Sequence, residues 1–181
     1  RDRYYKVHLE DTNIDVELTT TTRSAMHFYT YPSPENQVLI LDLLHRDKVL
    51  AVSIEIVSDT EIQGFRFSEA WATDQRLFFN IKTSHPFKDM LQSPPKKGMP
   101  GARKCAMEFI NPNNEPVCIS VGISAVDQAG AKQNREVEIG SKTFETLKKE
   151  AAQSWEQQLE KIVVEDSNKD KLATFYTALY H

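Results

Sequence analysis

The sequence predicts a mainly β fold, an antiparallel β-sandwich followed by helices, and three observations support this. From Tyr4 to about Ile139, β-branched and aromatic residues recur with a period of two, which is typical of half-buried strands. Turn-forming residues separate these runs at short intervals, which favours antiparallel pairing over a parallel α/β sheet. After Gly140 the spacing changes to three and four residues, which indicates helix.

The first half of the chain contains five of these runs. They are residues 5–9, 14–20, 26–31, 38–44 and 49–57. The first two form a predicted hairpin around Asp11-Thr12-Asn13, whose short polar side chains favour turns. Residues 38–44 are almost continuously apolar, which suits a strand covered on both faces.

The second half continues the pattern with residues 61–71 and 76–83, and then with residues 104–110 and 117–125. We predict that the last two runs form a hairpin, because residues 111–116 between them are rich in Asn and Pro. In that register Cys105 and Cys118 lie several residues apart, so the sequence predicts two buried free thiols. Residues 93–101 concentrate Pro, Gly and Lys, which predicts a mobile surface loop.

Two helices are predicted after Gly140. The apolar stripe of the first consists of Phe144, Leu147, Ala151, Trp155, Leu159 and Ile162. Ser141 or Thr143 can cap this helix, and Ser167 can cap the second, whose shared face holds Leu172, Phe175, Tyr176 and Leu179. The predicted organisation is a sandwich domain (1–140), a linker helix with a short extension (141–165) and the start of a helical domain (166–181).

Composition excludes several function classes. The 181 residues carry a net charge of −4, so the chain has no broad basic surface for nucleic acid. The longest aliphatic run ends at Asp42, far short of the roughly 20 residues that span a bilayer. The five histidines are scattered without metal-ligand spacing, and there is no Cys-x-x-Cys, phosphate loop or Gly-x-Ser-x-Gly, so we predict no metal site and no nucleotide chemistry.

One segment stands out as a candidate site, residues 64–75. Arg66, Trp71 and Asp74 fall within ten positions of one another. Trp71 and Asp74 lie at a predicted turn, from which their side chains can project. An aromatic face stacks on the C–H side of a sugar ring, while Arg and carboxylate groups bind its hydroxyls. The same residues also fit a core tryptophan with a surface ion pair, and this segment alone leaves both interpretations open.

The order and spacing of several motifs resemble those of glycoside hydrolase family 92, the exo-acting α-mannosidases, over nearly the whole chain. The motifs are Tyr4-Tyr5-Lys6-Val7, Val16-Glu17-Leu18-Thr19, Thr22-Arg23, Tyr29-Thr30-Tyr31-Pro32, Asp42-Leu43-Leu44-His45, Gly64-Phe65-Arg66, Trp71-Ala72-Thr73-Asp74-Gln75, Lys82-Thr83-Ser84-His85-Pro86-Phe87, Val121-Gly122-Ile123-Ser124 and the closing Phe175 to His181.

The resemblance implies a two-domain enzyme, an N-terminal sandwich joined by a helical linker to an (α/α)6 catalytic barrel. The family is calcium-dependent and inverts the anomeric centre, with one carboxylic acid and one carboxylate that activates water. Both carboxylates and the calcium ligands are expected in the barrel, outside this chain, so the chain alone is expected to be inactive. The expected partners are that barrel and a mannose-containing glycan, and the expected location is secreted, periplasmic or at the surface of a bacterium.

The resemblance also nominates residues that border the sugar or contact the barrel. They are Arg66, Trp71, Asp74 and Gln75, with Arg23 and His45 as weaker candidates, and none is a catalyst. Two other functions remain open at this stage: a stand-alone carbohydrate-binding module, and a structural sandwich without a sugar role.

Overall fold

The computed structural model describes residues 4–93 and 103–180, which form ten strands and three helices. The strands are β1 (Tyr4–Leu9), β2 (Ile14–Thr20), β3 (Ser24–Thr30), β4 (Val38–Asp42), β5 (Lys48–Ser58), β6 (Glu61–Glu69), β7 (Gln75–Thr83), β8 (Phe87–Gln92), β9 (Lys104–Phe109) and β10 (Val117–Ser124). The helices are α1 (Gln128–Glu138), α2 (Phe144–Leu159) and α3 (Lys169–Tyr180). Most of the predicted 93–101 loop lies outside the described residues.

The strands form two antiparallel sheets. The large sheet has seven strands in the order β1-β2-β3-β10-β7-β6-β5, and the small sheet has three in the order β4-β9-β8. Their facing sides share one apolar core, in which Met107, Val117, Ile62 and Ile119 are almost completely buried. Alternate residues of β5, β7, β9 and β10 enter this core, as the period of two predicts. The predicted antiparallel sandwich is therefore confirmed.

The predicted hairpin between residues 104–110 and 117–125 is wrong. Strand β9 pairs with β4 and β8 in the small sheet, whereas β10 pairs with β3 and β7 in the large sheet. The intervening segment therefore crosses between the sheets. Buried amides hold this crossing: Asn111 Nδ2 donates to Gln37 Oε1 at 2.9 Å, and Gln37 Nε2 donates to Asn114 Oδ1 at 2.6 Å. Turn-forming residues occur in connections between two sheets as well as in hairpin turns, so residues 111–116 do not distinguish the two.

The two cysteines are free, as predicted, although the hairpin used to predict this does not exist. Cys105 is buried in the sandwich core, and Cys118 is half-buried against the cluster beside α2. The two thiols therefore belong to different sheets and different clusters.

The apolar run 38–44 forms a strand that is covered on one face only, contrary to prediction. Strand β4 is an edge strand of the small sheet, and Ile40 on its outer side is 68 % exposed. Leu39 and Leu41 point inward and pack against the core. The strand at the opposite edge of this sheet, β8, was not predicted, because Phe87–Gln92 lacks a clear alternation.

Helix α1 corrects a third prediction, because the sequence assigns its residues to the strand region. Asp127 caps the helix and accepts from Gly130 N at 2.6 Å. The helix packs on the face of the large sheet that points away from the small sheet. Gly122 permits this close approach, since a Cβ there would lie 2.2 Å from the Ala131 carbonyl oxygen. The buried Arg135 then donates to Asn80 Oδ1 at 2.6 Å.

The two predicted helices after Gly140 are present. Thr143 caps α2, and Phe144, Leu147 and Ala151 are its buried residues, so the first half of the predicted stripe is confirmed. Asn168, not Ser167, caps α3: its Oδ1 accepts from Asp170 N at 3.0 Å. Helix α2 ends at Leu159, so Ile162, the last residue of the predicted stripe, lies beyond it.

None of the helices within the described ranges is long and apolar enough to cross a membrane.

Candidate functional site

The candidate residues of β6 and its neighbouring loops lie together at one end of the large sheet. Strand β5 begins and strand β6 ends at this end, with Lys48 opposite Glu69. An ion pair of 2.8 Å joins these two side chains. The β4–β5 loop (residues 43–47) and the β6–β7 turn (residues 70–74) are consequently neighbours.

Arg66 binds the β4–β5 loop. Its Nε donates to the Leu43 carbonyl oxygen at 2.9 Å, and its Nη2 donates to the carbonyl oxygens of His45 (3.1 Å) and Arg46 (2.7 Å). Its Nη1 donates to Ser68 Oγ at 3.0 Å. The Arg66 guanidinium thus makes its hydrogen bonds within the protein, whereas the sequence suggested a surface ion pair or a contact with sugar.

The β4–β5 loop has an unusual backbone at its tip. Arg46 and Asp47 adopt consecutive positive φ angles of 56° and 55°. Residues with a Cβ rarely adopt this conformation, so surrounding contacts have to hold it. His45 and Arg46 are exposed on this loop. The loop therefore presents an imidazole and a guanidinium to solvent from a fixed backbone.

Trp71 projects from the β6–β7 turn and is 99 % exposed. A bond of 3.0 Å from Ala70 N to the Ala72 carbonyl oxygen tightens the turn around it. This exposure rules out the core tryptophan that the sequence left open. An indole with almost no protein contact offers both faces to a ligand or to another domain.

Asp74 and Gln75 complete this group. Asp74 Oδ1 accepts from Arg76 Nε at 3.1 Å, and the Arg76 guanidinium also lies 5.5 Å from the centroid of the Phe67 ring. Gln75 Oε1 accepts from Ser68 Oγ at 3.4 Å, so Gln75 continues the network that begins at Arg66. These contacts order the side chains along the base of the β6–β7 turn.

Arg23 lies apart from this group. It lies in the β2–β3 turn, and the strand that follows it, β3, is separated from β6 by β10 and β7, about 14 Å across the sheet at the usual strand spacing. Glu138 of α1 accepts from the Arg23 backbone N–H at 2.8 Å and from its Nε at 3.1 Å. Burial pushes the pKa of Glu138 up, but hydrogen bonds from Thr21 and Arg23 outweigh it and hold the pKa below its usual value.

Two small cavities flank the β2–β3 turn. One of about 200 Å³ is lined by Ala25, Val121, Ile123 and the turn itself, and one of about 140 Å³ lies between the turn and α2. Within residues 4–93 and 103–180, no group of three or more His, Cys, Asp or Glu side chains is arranged to hold a metal ion.

Sequence reasoning missed Arg46 and Arg76 in the group around Arg66 and Trp71, and Glu138 as the partner of Arg23. The Arg46-Asp47 pair carries no sequence signal for its backbone conformation. Glu138 was overlooked because its helix was taken for a strand. Arg76 could have been found from the sequence. It lies two residues after Asp74, a charge of opposite sign, and this spacing indicates an ion pair.

Two family profiles match the chain. The profile of the glycosyl hydrolase family 92 N-terminal domain covers residues 1–124, and that of the family 92 catalytic domain covers residues 130–181. The chain belongs to glycosyl hydrolase family 92. Helices α1 to α3 thus fall in the region of the catalytic-domain profile, although α1 packs on the sandwich. The division into 1–140, 141–165 and 166–181 remains a prediction.

Solved family 92 structures share this fold. A family 92 α-mannosidase from Bacteroides thetaiotaomicron superposes with a TM-score of 0.83 at 24 % identity, covering 99 % of this chain and 26 % of the other. An inverting family 92 mannosidase of the same bacterium gives 0.82 at 21 % identity, covering 98 % of this chain and 25 % of the other. The chain thus spans about a quarter of the length of these structures. No curated protein sequence matches it.

Proposed function

We propose that this family 92 chain is part of a glycoside hydrolase that removes terminal α-linked mannose from glycans. The observation that supports it most is that N-terminal and catalytic family profiles follow each other in one chain whose fold matches two mannosidases. In this proposal the sandwich supports the catalytic domain, and its loops border the sugar.

The helices support the proposed contact with the rest of the catalytic domain. None of the residues of α3 is buried, although Leu172 and Phe175 form an apolar face. The ring centroids of Trp155 on α2 and Tyr180 on α3 lie 4.5 Å apart. Half-covered aromatic side chains on two successive helices are typical of a surface that another helical layer covers.

We further propose an inverting mechanism, with the two catalytic carboxyl groups supplied by the rest of the catalytic domain. Inversion needs an acid and a base about 6.5–9.5 Å apart with a water between them. Calcium binds six to eight oxygen ligands. The described residues contain no metal-holding cluster, so they do not fit a calcium site, and we place its ligands elsewhere in the parent enzyme. We also propose that this enzyme is exported by a bacterium.

Mannose release tests the proposal directly. The parent polypeptide, with calcium, is expected to release mannose from an α-mannoside with inversion at the anomeric carbon, which NMR of the first product detects. The 181-residue chain under the same conditions is expected to release none. Mannose release by the 181-residue chain, or none by the parent enzyme, would contradict the proposal.

A second candidate function is a carbohydrate-binding module, which the 99 % exposure of Trp71 favours. The chain has two tryptophans, so the Trp155→Phe variant reports Trp71 fluorescence alone. Saturable quenching by mannobiose in that variant, absent from Trp71→Phe, would support a module that binds sugar unaided. A flat titration would remove this candidate.

A structural sandwich without a sugar role is the remaining alternative. An unchanged kcat/KM in the parent enzyme carrying both Arg66→Ala and Trp71→Ala would support it.

A further inference from the structure

Four of the hydrogen-bond donors of Arg66 are bound inside the protein. A guanidinium carries five N–H donors. Four of those of Arg66 are used at 3.1 Å or less, on three loop carbonyls and Ser68 Oγ. The remaining Nη1 donor faces the Asp47 carboxylate at 3.7 Å, and only 18 % of the Arg66 side chain is exposed. Because its hydrogen bonds go to the β4–β5 loop, Arg66 holds the backbone of that loop in place.

We propose that Arg66 is a positioning residue: it fixes the β4–β5 loop so that His45 and the newly identified Arg46 face the glycan beside Trp71. This inference deepens the proposed function and rests on it for the identity of the glycan. It assigns sugar contact to residues 45 and 46 and removes it from Arg66.

The loop backbone supports this role. The carbonyl oxygens of His45 and Arg46, at the start of the positive-φ pair, are the ones that Arg66 Nη2 binds. Without these bonds we expect the loop to relax to ordinary φ angles at Arg46, because its long side chain, unlike glycine or a short polar residue such as Asp47, does not favour the left-handed region. The guanidinium fork matches several carbonyls at once, which a lysine ammonium on a flexible stem does not.

The loop faces the same surface as the indole. Lys48 and Glu69 tie the end of the β4–β5 loop to the start of the β6–β7 turn at 2.8 Å. Asp42 Oδ1 accepts from Leu44 N at 2.8 Å and fixes the other end of the loop. An aromatic face with imidazole and guanidinium donors at its side is suited to a hydroxyl-rich, uncharged ligand such as a glycan.

NMR of the 181-residue chain tests the positioning step without any sugar. In Arg66→Lys, the amide signals of residues 44–48 are expected to shift, while those of residues 111–117 at the other end stay unchanged. Arg76→Lys, an exposed arginine on the adjacent strand, is the matched control and should leave residues 44–48 unchanged. Methylguanidinium added to Arg66→Ala is expected to return these signals toward the wild-type positions. Unchanged loop signals in Arg66→Lys would overturn the proposal.

Ser68→Ala keeps the test decisive should both Arg66 variants fail to fold. It removes one partner of the guanidinium from a buried site and leaves the charge in place. Besides the shifts expected next to Ser68 and at its partner Gln75, shifts of residues 44–48 would support the proposal, and their absence would overturn it.

A double-mutant cycle in the parent enzyme tests the contact with glycan. We expect Arg66→Lys and His45→Ala each to raise KM by about tenfold with little change in kcat, as loss of ground-state binding does. If Arg66 acts through the loop, the double variant will be no worse than either single one. Multiplying effects would show direct contact by Arg66 and overturn the inference. Unchanged KM values in an enzyme that releases mannose would overturn the glycan contact while leaving the mannosidase proposal intact.

Discussion

Glu138 at the end of α1 binds Arg23 in the β2–β3 turn twice, through the backbone N–H at 2.8 Å and through Nε at 3.1 Å. Thr21 Oγ1 adds a third bond to the same carboxylate at 2.5 Å. The carboxylate thus joins a helix of the catalytic-profile region to a turn of the sandwich.

Glu138→Gln is expected to lower the free energy of unfolding at pH 7 by about 1–2 kcal/mol, because hydrogen bonds to a charged acceptor are lost. The pKa of Glu138 is held down in the folded protein. Its stabilisation is therefore present above the pKa of the unfolded chain and is lost as the pH falls through the folded value. Urea unfolding at pH 7 and at pH 3.5 measures this effect. The difference in the free energy of unfolding between variant and wild type should be smaller at pH 3.5. Glu156→Gln, exposed on α2, is the control, and an equal difference at both pH values would contradict the assignment.

Arg135→Met is expected to destabilise the fold by about 2–4 kcal/mol, since it leaves the buried Asn80 Oδ1 without its hydrogen-bond donor and removes one of the two cations beside the Glu61 carboxylate. Arg135 is 7 % exposed and lies between α1 and the large sheet. Urea unfolding measures the change. The exposed Arg76→Met is the matched control, with an expected loss of about 0.5 kcal/mol. Comparable losses in the two variants would show that Arg135 does not fasten α1.

Gly122→Ala is expected to cost about 1–3 kcal/mol, because the added methyl group would overlap the Ala131 carbonyl of α1. The helix then has to move off the sheet. Thermal unfolding checks this, with Ser120→Ala on the same face of β10 as control. A melting temperature for Gly122→Ala equal to that of Ser120→Ala would mean that α1 does not pack against Gly122.

Neither thiol is expected to react in the native chain. Burial raises the pKa of Cys105 and of Cys118 to about 11. Thiolate, the reactive form, is therefore scarce at pH 8. An aromatic disulfide reagent should label neither cysteine in buffer and both in urea. Labelling of Cys118 within minutes in buffer would place it in a more open site than the structure gives it.

The sequence was enough to predict nine of the ten strands and the two helices after Gly140. Each of these depends on periodicity or turn chemistry within about ten residues. The family resemblance likewise rested on motifs and their spacing, and the family 92 profiles confirm it.

Tertiary structure alone decided which strands pair and what Arg66 does. The segment between β9 and β10 has the residues of a hairpin turn, yet it crosses between sheets, because β10 finds its partners in β3 and β7 far along the chain. The carbonyl groups that engage Arg66 lie about twenty residues before it and have no side-chain signature. Local pattern fixes the conformation of a segment, whereas pairing and side-chain partners depend on contacts between distant segments that only the folded chain brings together.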